Sequence, residues 1–174
     1  YSMHFELVLP AMGAADAPIP LGGTSNHFLT STLRELGGWD PFNVTEDADL
    51  GIRLHREGFR TAMIDSTTLE EANSVLPNWI RQRSRWNKGY LQTWLVHMRH
   101  PLRLLSQTGL RGFISFNLTM GSAFVLLLNP IFWTLTTIYL FTQWGFIESL
   151  FPGLLFYAAS ALLFIGNFLF VYLN

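Results

Sequence analysis

Between Leu76 and Met98 apolar residues return at steps of three and four. Leu76, Trp79, Ile80, Tyr90, Leu91, Trp94, Leu95 and Met98 keep that period, which is the period of a helix. One long helix over Pro77 to Met98 is therefore expected, with Pro77 in the first turn, where a missing N–H costs nothing. Arg81, Arg83, Arg85 and Lys88 are interleaved with its aromatic residues. Gln82, Arg85 and Trp86 stand at i, i+3 and i+4 and so share a face.

From Phe113 onward the pattern becomes an almost unbroken apolar run. About 20 such residues are enough to cross a bilayer, so two spans are expected, near residues 118–141 and 151–173. Pro130 would kink the first. The turn between them holds Trp144, an interfacial anchor, and Glu148. Arg99 to Gly112 sets three arginines among leucines, a pattern suited to an amphipathic segment on a membrane surface. The alternatives are an ordinary surface helix for this segment and a buried helix pair for the two runs.

Ahead of the long helix the pattern is mixed. Tyr1 to Pro10 is ambiguous, and Ala11 to Pro18 is rich in breakers and reads as a loop. Ile19 to Ser25 predicts a short strand running into a tight turn at Gly22 and Gly23, where a backbone can approach a ligand closely. Such a pair of glycines is equally a plain turn. A short helix over Asn26 to Leu36 stops at Gly37 and Gly38. Thr45 is placed as the N-cap of a helix running to about Glu57, and Gly58 ends it. Glu46, Asp47 and Asp49 fall in its first turn. The helix dipole alone explains acidic residues there, but a carboxylate at a loop-to-helix junction is also suited to act as a general base. Phe59 to Asp65 predicts a second short strand, and Thr67 to Leu76 a connection.

Net charge is −1 over 174 residues, so bulk charge gives no case for a nucleic-acid partner. Distribution says more. All 11 Lys and Arg lie between Arg34 and Arg111, and the 63 residues from Gly112 to Asn174 carry one charge, Glu148. Arginines before the first expected span put that end in the cytoplasm. There is no cysteine, which removes disulfide, zinc-thiolate and thiol-nucleophile chemistry. His4, His27, His55, His97 and His100 show no ligand spacing, and none is assigned to a metal.

Three motifs occur in order: Gly22-Gly23-Thr24-Ser25-Asn26-His27-Phe28, then Gly38-Trp39-Asp40 with Thr45-Glu46-Asp47, then Gln82-Arg83-Ser84-Arg85-Trp86. T-E-D followed some 35 residues later by Q-x-x-R-W and then by apolar runs resembles the C-terminal part of a family 2 glycosyltransferase of the processive, membrane-integrated kind. Cellulose synthases and bacterial β-glucan synthases are of that kind. The resemblance implies an α/β fold, part of a GT-A domain, followed by the amphipathic segment and a two-helix transmembrane hairpin. Residues 1–98 would be the acceptor-side half of that domain, 99–112 the interfacial segment, and 113–174 the hairpin.

The implied activity is inverting transfer from a UDP-sugar, with UDP-glucose the first choice, to a growing β-linked polysaccharide. Its place would be the cytosolic face of the inner or plasma membrane, in a multi-pass protein. By motif, Asp47 corresponds to the general base, supported by Glu46 and Thr45. Gly23, Thr24 and Ser25 lie in the acceptor-end loop. Gln82, Arg85 and Trp86 match the motif that binds the acceptor glycan and the donor diphosphate. The chemistry agrees: inversion needs one base in line with the acceptor, and a leaving diphosphate needs a cation, which Arg85 meets with paired hydrogen bonds. A divalent metal, Mg or Mn, is implied for the full-length enzyme, with ligands mostly outside this chain. The donor-binding half and its D-x-D motif have no candidate here, so residues 1–174 alone are expected to be inactive. Implied partners are the nucleotide-sugar, the glycan acceptor, membrane lipid and that donor-binding half, with no nucleic acid. The alternatives are non-processive transfer to a lipid carrier, an inactive membrane-anchored scaffold, and a transporter fragment. Few polar residues lie in the apolar runs, which argues against the last.

Overall fold

The computed structural model describes residues 3–143, 145–150 and 153. A π-helical stretch, Met3–Val8, runs into α1 (Leu9–Ala14), followed by α2 (Thr30–Glu35), α3 (Glu46–Arg56), α4 (Leu76–His97), α5 (Pro101–Thr119), α6 (Ser122–Thr142) and α7 (Gly145–Leu150). Two compact units result. One is residues 4–124; the other is residues 1–3 with 125–174.

The expected α/β fold is not found: among the described residues there are helices and no strands. A strand exists only where a neighbour takes up its backbone hydrogen bonds, and neither strand-like segment has one. Ile19, 1% exposed, is buried by helices instead. It packs with Leu9, Met12 and Ala17, and α3 passes so close that a Cβ on Gly51 would strike the Ile19 carbonyl oxygen. The loop expected over Ala11 to Pro18 is in part helical for the same reason, since α1 buries Leu9 and Met12 in this cluster. At the second segment, the Phe59 amide closes α3 on the Leu54 carbonyl at 3.0 Å, and Met63 and Ile64 are exposed.

The transmembrane hairpin is also corrected. Among the described residues no helix is long and apolar enough to cross a membrane. The apolar run that begins at Phe113 is not one helix but is divided at Met120 and Gly121 between α5 and α6. Its first turns are spent on a protein core, with Phe116 and Met120 fully buried. The second expected span, 151–173, lies outside the described residues apart from Gly153, and so does Trp144.

The 4–124 unit is built where α3, α4 and α5 meet. Ala48, Ile52, Leu104, Phe116 and Met120 form its core, with Tyr90, Trp94, Met98 and Phe113 packed against them. Fully burying a side chain of this size contributes roughly 1.5–3 kcal/mol. The indole N–H of Trp94 donates to Asn117 Oδ1 at 3.0 Å, so this aromatic ties α4 to α5. Within α5 the backbone turns at Gly109, where φ is 67°. In the other unit α6 contains Pro130, and the Thr134 hydroxyl donates to the Pro130 carbonyl at 2.7 Å.

Candidate active site

The start of α3 is shaped by Asn43. Its buried Oδ1 accepts from the Thr45 amide at 3.0 Å, and its Nδ2 donates to Thr93 Oγ1 on α4 at 2.8 Å. Thr45 stands at the N-cap position, but its hydroxyl makes no capping hydrogen bond. Its side chain is instead pressed against α4 at Gly89. A Cβ on Gly89 would lie 2.8 Å from the Thr45 Cβ and closer still to its Oγ1, so only glycine lets the helices approach this near.

One turn into this junction is Asp47, half-buried. Its Oδ1 accepts from the Ala48 amide at 2.7 Å. Its Oδ2 faces Gly23, where an added Cβ would sit 3.3 Å away. The glycine turn and the acidic motif, 24 positions apart in sequence, therefore meet. Burial pushes the Asp47 carboxyl above its ordinary pKa of 3.8, and the charge of Glu46 adds to this, while the Ala48 amide opposes it. A raised carboxylate is a stronger base at neutral pH. Tyr90 of α4 feels the same charge. Burial first, and then Asp47, raise its phenol pKa, with Arg83 acting the other way. It is thus held as a neutral O–H.

The remaining residues singled out from sequence are distributed as follows. Glu46 is exposed. Thr24 and Ser25 turn towards the 66–71 segment: Thr24 Oγ1 donates to a Glu70 carboxylate oxygen, and Ser25 Oγ lies 2.6 Å from Thr68 Oγ1. Ser25 adopts φ 59°, left-handed backbone rare for a residue with a Cβ. Gln82 and Trp86 are half-buried on α4 and Arg85 is exposed. Gln82, Trp86, Gly89, Thr93 and His97 recur at three and four residues, so the motif continues the α4 face that docks on α3. Arg83 places its guanidinium 4.4 Å from the Trp86 ring centroid and 5.4 Å from that of Trp79, covering one face of the Trp86 indole. Sequence reasoning missed this use of Arg83, which stands three residues before Trp86, and that spacing was the available signal.

Among the described residues no group of three or more His, Cys, Asp or Glu is arranged to hold a metal ion. The residues present do not fit the implied divalent cation, and no chemical step is derived through one.

The family described as glycosyl transferase family group 2 matches residues 4–172. The chain belongs to this family. It is 35% identical over 74 residues to the probable glycosyltransferase YdaM of Bacillus subtilis, which covers 42% of this chain and 17% of that protein. It is 31% identical over 81 residues to the beta-monoglucosyldiacylglycerol synthase of Synechocystis, covering 45% and 17%. It is 29% identical over 90 residues to the probable glucomannan 4-beta-mannosyltransferase 7 of rice, covering 51% and 15%. The matched stretches are thus less than a fifth of these relatives' lengths. No solved structure matches the chain.

Proposed function

We propose that this chain carries the acceptor side of an inverting glycosyl transfer from a UDP-sugar, UDP-glucose first, to a β-linked glycan. The observation that carries the reading is Asp47: a half-buried carboxylate of raised pKa, set against Gly23, whose charge is felt by Tyr90 of α4, the helix that also bears Gln82, Arg85 and Trp86. Asp47 takes the proton of the acceptor hydroxyl as that oxygen forms its bond to the anomeric carbon. The bond from that carbon to the diphosphate breaks on the opposite side, which inverts the centre. Arg85 meets the charge that develops on the leaving diphosphate. Gln82 and Trp86 hold the acceptor sugar, and Thr45 and Glu46 keep Asp47 in place. Gly23, Thr24 and Ser25 form the loop at the acceptor end.

The test is Asp47→Asn in the full-length protein, assayed with UDP-glucose. A loss of roughly 10²–10⁴ in kcat is expected of a missing general base. Transfer at the parental rate would sink the assignment.

A second reading is transfer of a single sugar to a lipid acceptor. It is favoured by the likeness to a beta-monoglucosyldiacylglycerol synthase. Product size separates the two: polymer for the first, a glycolipid for the second. Either acceptor suits a membrane-surface location on the cytoplasmic side. The exposed Leu102, Leu110 and Leu118 of α5, flanked by exposed Arg99, Arg103 and Arg111, support that placement.

A further inference from the structure

Two buried polar residues, Asp49 and His97, take no part in the chemistry above. Asp49 is 4% exposed, and so is His97. The Asp49 carboxylate accepts from Arg53 Nε at 2.8 Å through Oδ2 and pairs with His97 Nε2 at 3.0 Å through Oδ1. A carboxylate that already accepts from a guanidinium leaves His97 Nε2 as the donor. The other ring nitrogen, Nδ1, then accepts from Arg56 at 2.6 Å. Arg56 goes on to donate twice to Gln107 Oε1, at 2.7 and 3.0 Å. Asp49 and Arg56 belong to α3, His97 to α4 and Gln107 to α5. One hydrogen-bonded chain therefore crosses all three helices, and its donors and acceptors alternate without a mismatch.

This chain is the last of three rungs that dock α4 on α3. Gly89 abuts Thr45, Thr93 accepts from Asn43, and His97 pairs with Asp49. The rungs stand four residues apart on one face of α4. The first is steric only and the second is a single neutral hydrogen bond. The third is charge-assisted, desolvated and branched, the arrangement in which hydrogen bonds are strongest. The other end of α4 is different: residues 76–81, 84 and 85 are exposed. These ties of α4 to α3 thus lie at residues 89–97, on the far side of Gln82, Arg85 and Trp86 along the helix.

We propose that His97 is a positioning residue of the transferase site: through the Asp49–His97–Arg56–Gln107 chain it fixes the seat of α4 on α3, and hence the place of Gln82, Arg85 and Trp86 relative to Asp47. This rests on the reading of Asp47 as base, of Gln82 and Trp86 as acceptor-binding and of Arg85 as the partner of the leaving diphosphate. His97 is roughly 16 Å along the helix from Trp86, at 1.5 Å per residue, and acts on substrate only through the helix. Its loss changes how well the acceptor is held, not which group takes the proton.

The experiment compares His97→Leu and His97→Gln in the full-length protein, with UDP-glucose as donor and a short β-linked gluco-oligosaccharide as acceptor. Gln supplies one donor and one acceptor at comparable reach; Leu supplies neither. His97→Leu is expected to raise the acceptor KM by about tenfold and, because Arg85 moves with the helix, to lower kcat at saturation as well. It should also speed amide hydrogen exchange over residues 82–93. His97→Gln should restore all three. Leu9→Ala, in the separate cluster around Ile19, controls for general destabilisation and should leave the acceptor KM unchanged. Parental KM and parental exchange in His97→Leu would overturn the proposal, as would equal KM effects in His97→Leu and Leu9→Ala. Asp47→Asn, run alongside, keeps the two readings apart: an active Asp47→Asn protein refutes the base assignment, whereas the exchange result judges His97 with no substrate present.

Discussion

At Asp47 the proposed role as base and the stability of the fold pull in opposite directions. Its pKa is raised chiefly by burial, so the folded protein binds a proton there more tightly than the unfolded chain does. The stability from that proton is fully present below the ordinary value of 3.8 and is lost as pH rises through the folded value. At neutral pH the ionised carboxylate is consequently a cost to the fold. Asp47→Asn should then raise the melting temperature at pH 7, with the gain vanishing below about pH 3.8, as a pair of thermal melts would reveal. The same shift governs activity. The acid limb of kcat/KM is expected above the ordinary aspartate range, and Asp47→Glu should move that limb while Glu46→Gln should lower it slightly. Asp49 behaves in the opposite sense. Burial raises its pKa, but the hydrogen bonds and charges of His97 and Arg53 more than offset this, and the net value is lowered. Its contribution is present above the unfolded pKa and is lost as pH falls through the folded one.

Among the elements, α4 matters most, and its seat depends on a residue with no side chain. At Gly89 the space for a Cβ is already filled by Thr45, so Gly89→Ala must push α4 away from α3. Overpacking of this kind typically costs 1–3 kcal/mol, against a gain of roughly 1 kcal/mol for alanine over glycine in a helix interior. A net loss of stability is expected in urea denaturation, together with a larger loss of activity than the melt alone would explain. A stabilised Gly89→Ala protein would mean that the helices are not in register through Thr45. The existence of α4, its proline start and its apolar period were legible in the sequence, and so were the glycine stops after α2 and α3. Those signals are local. The partners of Gly89, Thr93 and His97 lie 44, 50 and 48 positions away, and helical period says which residues share a face but not what that face meets. Hence the sequence alone leaves His97 without a role.

For the molecule as a whole, the acidic motif and the glycine turn were each legible in the residues but were joined in one site only through resemblance, since neither carries a spacing that says they meet. The α/β fold failed because strand propensity in Ile19 to Ser25 and Phe59 to Asp65 measures fit to a pleated, half-buried surface, and no described segment supplies that surface. The apolar run from Phe113 misled for a related reason: continuous hydrophobicity marks burial without naming what does the burying, and here Phe116 and Met120 are buried by protein. Among the described residues, α5 combines exposed leucines with exposed arginines, and the proposed membrane-surface placement is tested there. Leu102 is 80% exposed, Leu110 66% and Leu118 72%, with Arg99, Arg103 and Arg111 exposed beside them. Apolar residues that enter the headgroup layer and arginines that meet anionic lipid are the two parts of surface binding. The signature is a difference between vesicles, because other apolar parts of the chain contribute to any lipid equally. Retention on phosphatidylglycerol vesicles should exceed that on phosphatidylcholine vesicles and fall with salt. Changing Arg99, Arg103 and Arg111 to Gln should abolish the difference, at about 1 kcal/mol for each arginine near an anionic surface. Equal retention on both lipids by the unchanged protein would rule out α5 as the membrane-facing surface.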